Sequence, residues 1–394
     1  MLYDVIIVGA GPAGSAAAQW LARKGYSVLL LDRSRFPRNK VCGDGLTPGA
    51  TALLQELGAL DALPARERFP IRAIRFVTPK LRRLDVPFIS KHEAAEFLVI
   101  PRRELDYALW QKAVQAGARF QVGTVTGVEK STRTVRELSV RVNGKEQRVR
   151  ARLILGADGA SSVVARSLNK QKADPRHRFV AMRAYVSGLE TIPGLVEFYW
   201  TNELKPGYFW IFPLGKGKAN VGLGLPADLY AKSTLKLKDL FLEYLNGPLL
   251  QTRHKVPLRV EDARSWPIPL GGVRAFKRVD DGIMLIGDAG YWSDPLSGEG
   301  IHNALQTAKI AAEVADLALH KGRTDRAFLQ AYEEKAKREL GPTIRRSLWF
   351  VWGMRHLPWL LEWYFALAGR SAWAFQKFFS NLSHDFQFDF EKTS

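Results

Sequence analysis

Cysteine is nearly missing from this 394-residue chain, with Cys42 standing alone. No intramolecular disulfide can form, and a reducing, cytoplasmic compartment is the default expectation. Acidic residues are also scarce, 39 against 58 lysines and arginines, giving a net charge of +19. Such an excess suits nucleic acid, anionic lipid, a phosphorylated substrate, or simply a solvated basic surface. No nucleic-acid module is visible and the basic residues are dispersed, so nucleic acid is not an expected partner. The apolar run at the N-terminus has neither a basic leader nor a small-residue cleavage site, and it reads as a buried strand rather than a secretory signal. Internal repeats and low-complexity stretches are lacking too. What is there is a globular composition, 46% hydrophobic and 25% charged, with length for two domains and a C-terminal appendage.

Residues 3–8 predict an apolar strand, 12–23 a helix and 27–32 a second apolar strand, a βαβ opening with parallel pairing. At its first turn stands Gly9-Ala10-Gly11-Pro12-Ala13-Gly14. In such a turn Gly9 permits the tight bend, Gly11 lets the backbone approach a pyrophosphate, and Gly14 lets the helix close on the sheet. The anion then rests on the N–H groups and dipole of the helix N-terminus. Asp32 closes the second strand and is placed for ribose hydroxyls. A bare G-x-G-x-x-G is a weak signal, but a strand before it, a helix after it and this acid make it a dinucleotide site. Further along, 71–100 predict strands and 102–116 an amphipathic helix. Residues 119–155 predict strands that turn at Asn143-Gly144, a hairpin signal. Residues 179–225 are strand-rich and aromatic, 231–245 predict a helix, 282–287 a short buried strand, 300–319 a long helix, and 325–380 further helix.

The fingerprint alone does not separate FAD from NAD. Two further motifs do: Gly156-Ala157-Asp158-Gly159-Ala160-Ser161-Ser162 and Ile286-Gly287-Asp288-Ala289-Gly290, each after an apolar strand. In this order and spacing the three motifs resemble flavoproteins of the p-hydroxybenzoate hydroxylase fold. The resemblance implies FAD as cofactor, Asp288 on its ribityl chain, and an arginine, Arg102 or its neighbour Arg103, lying along it. It also implies cofactor contacts from Arg33, Lys40, Cys42, Gly43, Val125 and Asp158, and from Gly298, Gly300 and Ile301. In Pro295-Leu296-Ser297-Gly298-Glu299-Gly300-Ile301, backbone N–H groups opening the long helix can face the N1/O2 edge of a flavin. The helix dipole there favours the anionic reduced form. Ser297 and Glu299 also read as ordinary N-capping residues, and both readings can hold at once.

Two segments narrow the family. Pro37-Arg38-Asn39-Lys40-Val41-Cys42-Gly43-Asp44-Gly45 resembles the P-x-x-K-x-C-G-G/D-G segment of the geranylgeranyl reductase family. Tyr208-Phe209-Trp210-Ile211-Phe212-Pro213-Leu214-Gly215 with Asn220-Val221-Gly222-Leu223-Gly224 resembles that family's Y-x-W-x-F-P-x-G…N-V-G-x-G motif. With the FAD motifs, matches recur over residues 1–320. The Cys-Gly-Asp-Gly-Leu-Thr-Pro form is most similar to the bacterial branch that includes menaquinone reductases, where an arginine often follows the proline; here Gly49 stands in that place. The resemblance implies saturation of C=C bonds in a geranylgeranyl or polyprenyl chain, with hydride from reduced FAD. These alkenes are trisubstituted and unactivated, so a proton must arrive before or with the hydride. Positive charge then develops on the tertiary carbon, where an aromatic wall can stabilise it by ~0.5–2 kcal/mol per ring. Tyr208, Trp210 and Phe212 alternate along a strand and share a face. They are the candidate substrate wall, against the plainer reading of an aromatic sheet core. With Tyr208 and Trp210, Cys42 is the catalytic candidate that the resemblance implies. A free thiol with pKa ~8.5 is a poor acid toward an alkene. Cys42 can instead sense redox state, relay a proton or pack against the cofactor. Lys40 and Asp44 are loop charges that either tune this site or are simply solvated. No second Gly-rich fingerprint is visible, so the electron donor, NAD(P)H or another reduced carrier, has no evident domain of its own.

The expected fold class is α/β. A discontinuous Rossmann-like FAD-binding domain (1–70, 95–178 and 265–330) encloses an antiparallel-sheet substrate domain (71–94 and 179–264). A helical C-terminal segment (331–394) follows. That segment holds Trp349, Trp352, Trp359, Trp363 and Trp373, interrupted by Arg355, Glu362 and Arg370. A membrane-spanning helix is not expected there. An interfacial amphipathic segment at the inner face of the cell membrane, a cover for the substrate cavity, and a dimer contact are the three readings. Two other function classes compete with the reductase. One is a flavin monooxygenase or halogenase of the same fold, although halogenases resemble W-x-W-x-I-P where this chain has Tyr208 and Phe212. The other is a non-catalytic prenyl-binding protein, which the intact Asp32, Asp158 and Asp288 argue against.

Overall fold

In the computed structural model, residues 2–90, 95–130, 135–169, 174–234, 236–357, 359–368 and 386–388 are described. Strand Leu2–Val8 buries Val5 and Ile7 on one side of its sheet and Ile6 and Val8 on the other. Successive side chains point to opposite faces, so the unbroken apolar run from Val5 to Val8 belongs inside a sheet covered on both faces. The strand pairs in parallel with Val28–Asp32 and with Lys145–Gly156. Across the sheet the order is Val279–Asp280, Ile283–Leu285, Lys145–Gly156, Leu2–Val8, Val28–Asp32 and Arg119–Val122. Thr124–Lys130 and Arg136–Val142 branch off the long strand as an antiparallel pair. The turn back into Lys145–Gly156 falls at Asn143-Gly144, both left-handed, as the hairpin signal requires. Helices Pro12–Arg23 and Ile301–His320, rich in buried alanine, pack against each other on one face.

The second sheet runs in the order His254–Pro269, Arg178–Leu189, Lys218–Pro226, Tyr208–Pro213, Leu195–Tyr199, Ala73–Val77, Arg83–Ser90 and Phe386–Phe388. It is not wholly antiparallel as expected, because Leu195–Tyr199 lies parallel to Ala73–Val77. Those two strands are joined by a long connection that passes through four strands of the first sheet, from Arg119–Val122 to Lys145–Gly156, rather than by a hairpin, and a long crossover permits parallel pairing. Strand His254–Pro269 continues unbroken past residue 264, where the sequence suggests a boundary.

The helix expected at 231–245 begins only at Leu237, as Leu237–Asn246, and a separate short helix, Ala227–Tyr230, precedes it. The intervening Ala231-Lys232-Ser233-Thr234 offers no apolar stripe, whereas Leu237, Leu240, Phe241 and Leu245 share one buried face. The C-terminal run is split, into Arg326–His356 and Trp359–Ala368. Leu357 precedes Pro358 in the sequence, and the residue before a proline is driven out of helical geometry. The segment 331–394, expected to be helical, also holds a strand, Phe386–Phe388, paired with Phe88–Ser90. Arg370 and Trp373 lie outside the described residues. Among the described residues no helix is long and apolar enough to cross a membrane.

Candidate active site

Strand register brings the motifs together. Val8 lies opposite both Leu31 and Gly156, and Gly156 lies opposite Leu285. The chain therefore leaves adjacent strand ends at Gly9, Asp32, Ala157-Asp158 and Gly287-Asp288, the carboxyl edge where open α/β sheets bind ligands. At Gly9 (φ 99°) a β-carbon would sit 2.4 Å from the Ala157 carbonyl oxygen, and at Gly14 it would sit 1.8 Å from the Gly9 carbonyl oxygen. Both glycines are required by the protein's own packing. Gly11 is different: a β-carbon there meets nothing closer than Arg38 Nη2 at 3.9 Å. Gly11 is the N-cap of Pro12–Arg23 and no side chain caps that helix, so its first-turn N–H groups address open space.

Around this edge the acids have separate tasks. Asp32 accepts from the Ala10 N–H and the Ser34 N–H, both at 2.8 Å, which fixes its carboxylate beside the fingerprint. Arg33 is exposed next to it, and Val125 is buried just beyond Gly123, whose N–H donates to the Asp32 carbonyl at 2.8 Å. Asp158 caps the short helix Val163–Leu168, accepting from the Val163 N–H at 2.6 Å and from the Ser162 hydroxyl. Its carboxylate thus ties the loop to that helix, while the backbone of Ala157 and Asp158 packs against Gly9. Asp288 accepts from the Ser293 hydroxyl at 2.9 Å and lies alongside Gly300, while the buried Gly287 donates its N–H to Thr307 Oγ1.

Arg102 is buried and makes a two-point ion pair with Asp106, at 2.7 and 2.9 Å, one turn along its own helix. Arg103 is exposed and leans on Glu104 at 4.0 Å. Of the two candidates, the arginine turned into the site is Arg102. Arg38 reaches the same Asp106 at 3.0 Å and lies 3.9 Å from Asp32. The Lys40 ammonium lies 3.3 Å above the centre of the Trp266 ring. Burial pushes its pKa down to about 7, with Arg102 and Arg38 adding to the fall and Asp288 and Asp106 opposing it.

The Cys42 loop joins this edge to the second sheet. The Cys42 sulfur accepts from the Asp44 N–H at 3.4 Å, and its thiol is pushed up first by burial and then by Asp44, with Arg102 opposing. Asp44 is fully buried and left-handed (φ 66°), a geometry that costs a non-glycine residue about 1 kcal/mol. Its carboxylate accepts from the Tyr185 hydroxyl and from Asn220 Nδ2, both at 2.8 Å, and from the Arg102 N–H at 3.3 Å. Asn220 also donates to the Cys42 carbonyl at 2.7 Å and accepts from Trp210 Nε1 at 3.0 Å. Arg183, 1% exposed, holds the Lys40 carbonyl at 3.1 Å.

Tyr208, Trp210 and Phe212 do share one face, while Phe209 and Ile211 pack on the other beneath Leu237–Asn246. The Phe212 ring lies against Gly45, where a β-carbon would sit 2.8 Å from it, and Trp210 fills the space that a β-carbon on Gly222 would take. Phe198 meets the edges of Tyr208 and Phe212 at 5.2 and 5.4 Å. The same face carries Phe76 and Trp200, which Met354 and Phe365 of the C-terminal helices cover. The Tyr208 hydroxyl donates to the Ser297 carbonyl, next to Gly298, so the aromatic strand meets the loop that opens helix Ile301–His320. In that loop the capping expectation fails. The N-cap is Gly300 with no side-chain bond; Ser297 turns to Asp294, and Glu299 accepts from the Thr47 hydroxyl. Buried Asp294 organises the loop, accepting from the N–H groups of Leu296 and Ser297, both at 2.9 Å, and from the Ser347 hydroxyl at 2.6 Å. Burial pushes its pKa up.

Sequence reasoning gave no role to Asp106, Tyr185 or Asn220. Asp106 had a signal, four residues after Arg102 on a helix. Asn220 sits in a quoted motif, but its bond to Asp44 spans 176 residues and is visible only in the fold.

These residues fit FAD. The open approach over Gly11 would suit a pyrophosphate, with Arg38, Lys40 and Arg102 as positive charge near it and Asp32 for the ribose, and the loop before the uncapped Gly300 meets the aromatic wall at Tyr208. The comparisons agree. The "FAD binding domain" family matches residues 2–347. The chain is 34% identical to a menaquinone reductase of Mycolicibacterium smegmatis, over 79% of this chain and 76% of that one. It is 33% identical to digeranylgeranylglycerophospholipid reductase 2 of Methanothermobacter thermautotrophicus, over 89% and 87%. The crystal structure of a geranylgeranyl bacteriochlorophyll reductase-like protein from Thermoplasma acidophilum superposes with a TM-score of 0.81 at 26% identity, covering 90% of this chain and 88% of that one. The chain belongs to the geranylgeranyl reductase family of FAD-dependent oxidoreductases.

Proposed function

We propose that the protein saturates trisubstituted C=C bonds in a geranylgeranyl or polyprenyl chain carried by a lipid or quinone. The observation that carries this reading is the aromatic face of the second sheet: Tyr208, Trp210 and Phe212 abut the Cys42 loop and lie beneath the C-terminal helices. Reduced FAD, when bound, supplies the hydride. The chain's own residues bind and shield. Phe198, Phe212 and Trp210 present ring faces and edges to an apolar chain. They can stabilise a tertiary cation by ~0.5–2 kcal/mol per ring. The C-terminal helices keep water from it. In this reading residues 1–70, 95–178 and 265–330 serve the cofactor, 71–94 and 179–264 the substrate. The segment 331–394 closes the apolar face and meets the lipid surface at the inner face of the membrane. Exposed Trp349, Trp352, Trp359 and Trp363 support that contact, as does the net charge of +19. The electron donor is NAD(P)H or another reduced carrier.

The test is anaerobic incubation of the reduced protein with geranylgeranyl lipids and polyprenyl quinones, followed by mass analysis. Two-hydrogen increments are expected. Unchanged lipid masses, with oxygen consumption coupled to a small aromatic substrate, would instead place the activity with the halogenases and monooxygenases.

A further inference from the structure

Asp44 keeps a left-handed backbone that glycine would adopt more readily, and the motif the Cys42 segment resembles takes glycine or aspartate at this position. What this chain gains is a buried carboxylate at a junction of four segments. Its own loop carries Cys42. The N-terminus of helix Arg102–Gln115 supplies the Arg102 N–H, strand Arg178–Leu189 the Tyr185 hydroxyl, and strand Lys218–Pro226 the Asn220 amide. Asn220 passes the contact on, since its carbonyl accepts from Trp210 Nε1.

We propose that Asp44 is a positioning residue of the reductase site: its carboxylate latches the Cys42 loop to the second sheet and, through Asn220, orients and polarises the Trp210 ring. The inference rests on the reductase reading above. No bond forms or breaks at Asp44, and the effect is electrostatic. Negative charge at the amide end of Asn220 makes its carbonyl a stronger acceptor, the indole N–H is drawn toward it, and the ring face becomes richer in electrons. That face is where positive charge would develop as the alkene is protonated, so the stabilisation grows in the transition state rather than in substrate binding. The charges facing Asp44 are Cys42 on its own loop, Arg102 on the helix, and Arg183 beside Tyr185 on the neighbouring strand, with Lys218 5.2 Å over the Tyr185 ring. Burial raises the Asp44 pKa to about 6, against the lowering effects of Asn220, Tyr185, Arg183 and Arg102. Burial and then Asp44 push the Tyr185 phenol up, so it stays a donor. The latch is half charged near pH 6, gains nearly its full charge about one pH unit higher and loses it about one unit lower.

The experiment compares the full-length, FAD-loaded protein with Asp44→Asn and Asp44→Gly, two residues that tolerate the left-handed backbone. Saturation of a geranylgeranyl lipid is followed by mass from pH 5 to 8. In the unsubstituted protein kcat should rise with pH through about 6. Both variants should lose about tenfold or more in kcat with KM nearly unchanged, and the rising limb should vanish. Equal kcat in all three proteins overturns the proposal, and so does a limb that persists in Asp44→Asn. Cys42 is the only thiol, which gives a second readout independent of turnover. Removing the neighbouring negative charge lowers the thiol pKa, so iodoacetamide should alkylate Asp44→Asn faster at pH 8. If no lipid is saturated by the unsubstituted protein, the reductase reading fails. An alkylation rate equal in it and in Asp44→Asn then overturns the Asp44 coupling by itself.

Discussion

The Lys40 ammonium sits against the Trp266 ring among two arginines, and its pKa of about 7 makes it half charged near neutrality. A pyrophosphate arriving over Gly11 would hold the proton there. Below pH 7 the site is already protonated. Above it, FAD binding must take up a proton, so affinity should fall by up to about tenfold per pH unit until the pKa of the bound state is reached. Titration of the FAD-free protein from pH 6.5 to 9, by flavin fluorescence quenching, should show this slope. Lys40→Gln should bind more weakly at pH 6.5 and show no slope; a flat profile in the unsubstituted protein would remove Lys40 from the pyrophosphate site. At this scale the sequence exposed residues whose role is set by neighbours in the chain. The glycines of the fingerprint and Asp32 lie within one βαβ unit, and their positions follow from its geometry. It was blind to partners brought in from afar: Asp44 is held by Tyr185 and Asn220 from another sheet. Choosing Arg102 over Arg103 likewise needed the direction in which the helix faces the core.

Elements were legible wherever one periodicity ran uninterrupted. The opening strand–helix–strand, the Asn143-Gly144 turn and the long helix Ile301–His320 all follow from patterns that no tertiary contact opposes. The helix expected at 231–245 forms only from Leu237 onward, because its buried stripe of Leu237, Leu240, Phe241 and Leu245 begins there. The capping reading of Ser297 and Glu299 failed because Asp294 and Thr47, unremarkable in sequence, claim those side chains. The fingerprint helix offers a sharper test, since its glycines answer to different neighbours. At Gly14 a β-carbon would collide with the Gly9 carbonyl, so Gly14→Ala should unfold or fail to accumulate as native protein. Gly11 has φ −73° and open space around it, so Gly11→Ala should fold with a thermal midpoint within about 2 °C of the unsubstituted protein. Its methyl group would instead stand in the path of the pyrophosphate and weaken flavin retention at least about tenfold. Flavin absorbance per protein and thermal melting separate the two outcomes. A Gly11→Ala protein that retains full flavin would mean that the cofactor backbone does not approach there.

At the scale of the whole molecule, two sheets meet along the Cys42 loop and the C-terminal helices bridge them, with Ser347 bonded to Asp294 on one side and Phe365 packed on Trp200 on the other. The sequence suggested three readings of the aromatic tail: an interfacial segment, a cover for the substrate cavity and a dimer contact. Met354 and Phe365 turn inward and cover the aromatic face, while Trp349, Trp352, Trp359 and Trp363 turn outward, 51–72% exposed. Beside Trp352 lies a groove of about 1040 Å³ whose lining includes Arg274 and Lys277, with Arg355 held in a two-point pair by Asp228. Projecting indoles next to cationic side chains suit a surface of anionic phospholipid, from which a long isoprenoid could pass to the covered face. Each half-exposed indole sinking into the headgroup region would contribute about 1–2 kcal/mol. Replacing Trp349, Trp359 and Trp363 together by serine should therefore weaken binding to anionic vesicles about 100-fold or more. The exposed positions should leave flavin content and thermal stability nearly unchanged. Binding to anionic vesicles should also weaken with added salt, and binding to neutral vesicles should be weaker with little salt dependence, because the basic groove acts through screened charge. Co-flotation with vesicles of defined composition measures all of this; if the triple variant floats as the unsubstituted protein does, the outward tryptophans meet something other than lipid, and a second copy of the chain, read from its mass in solution, becomes the partner to examine.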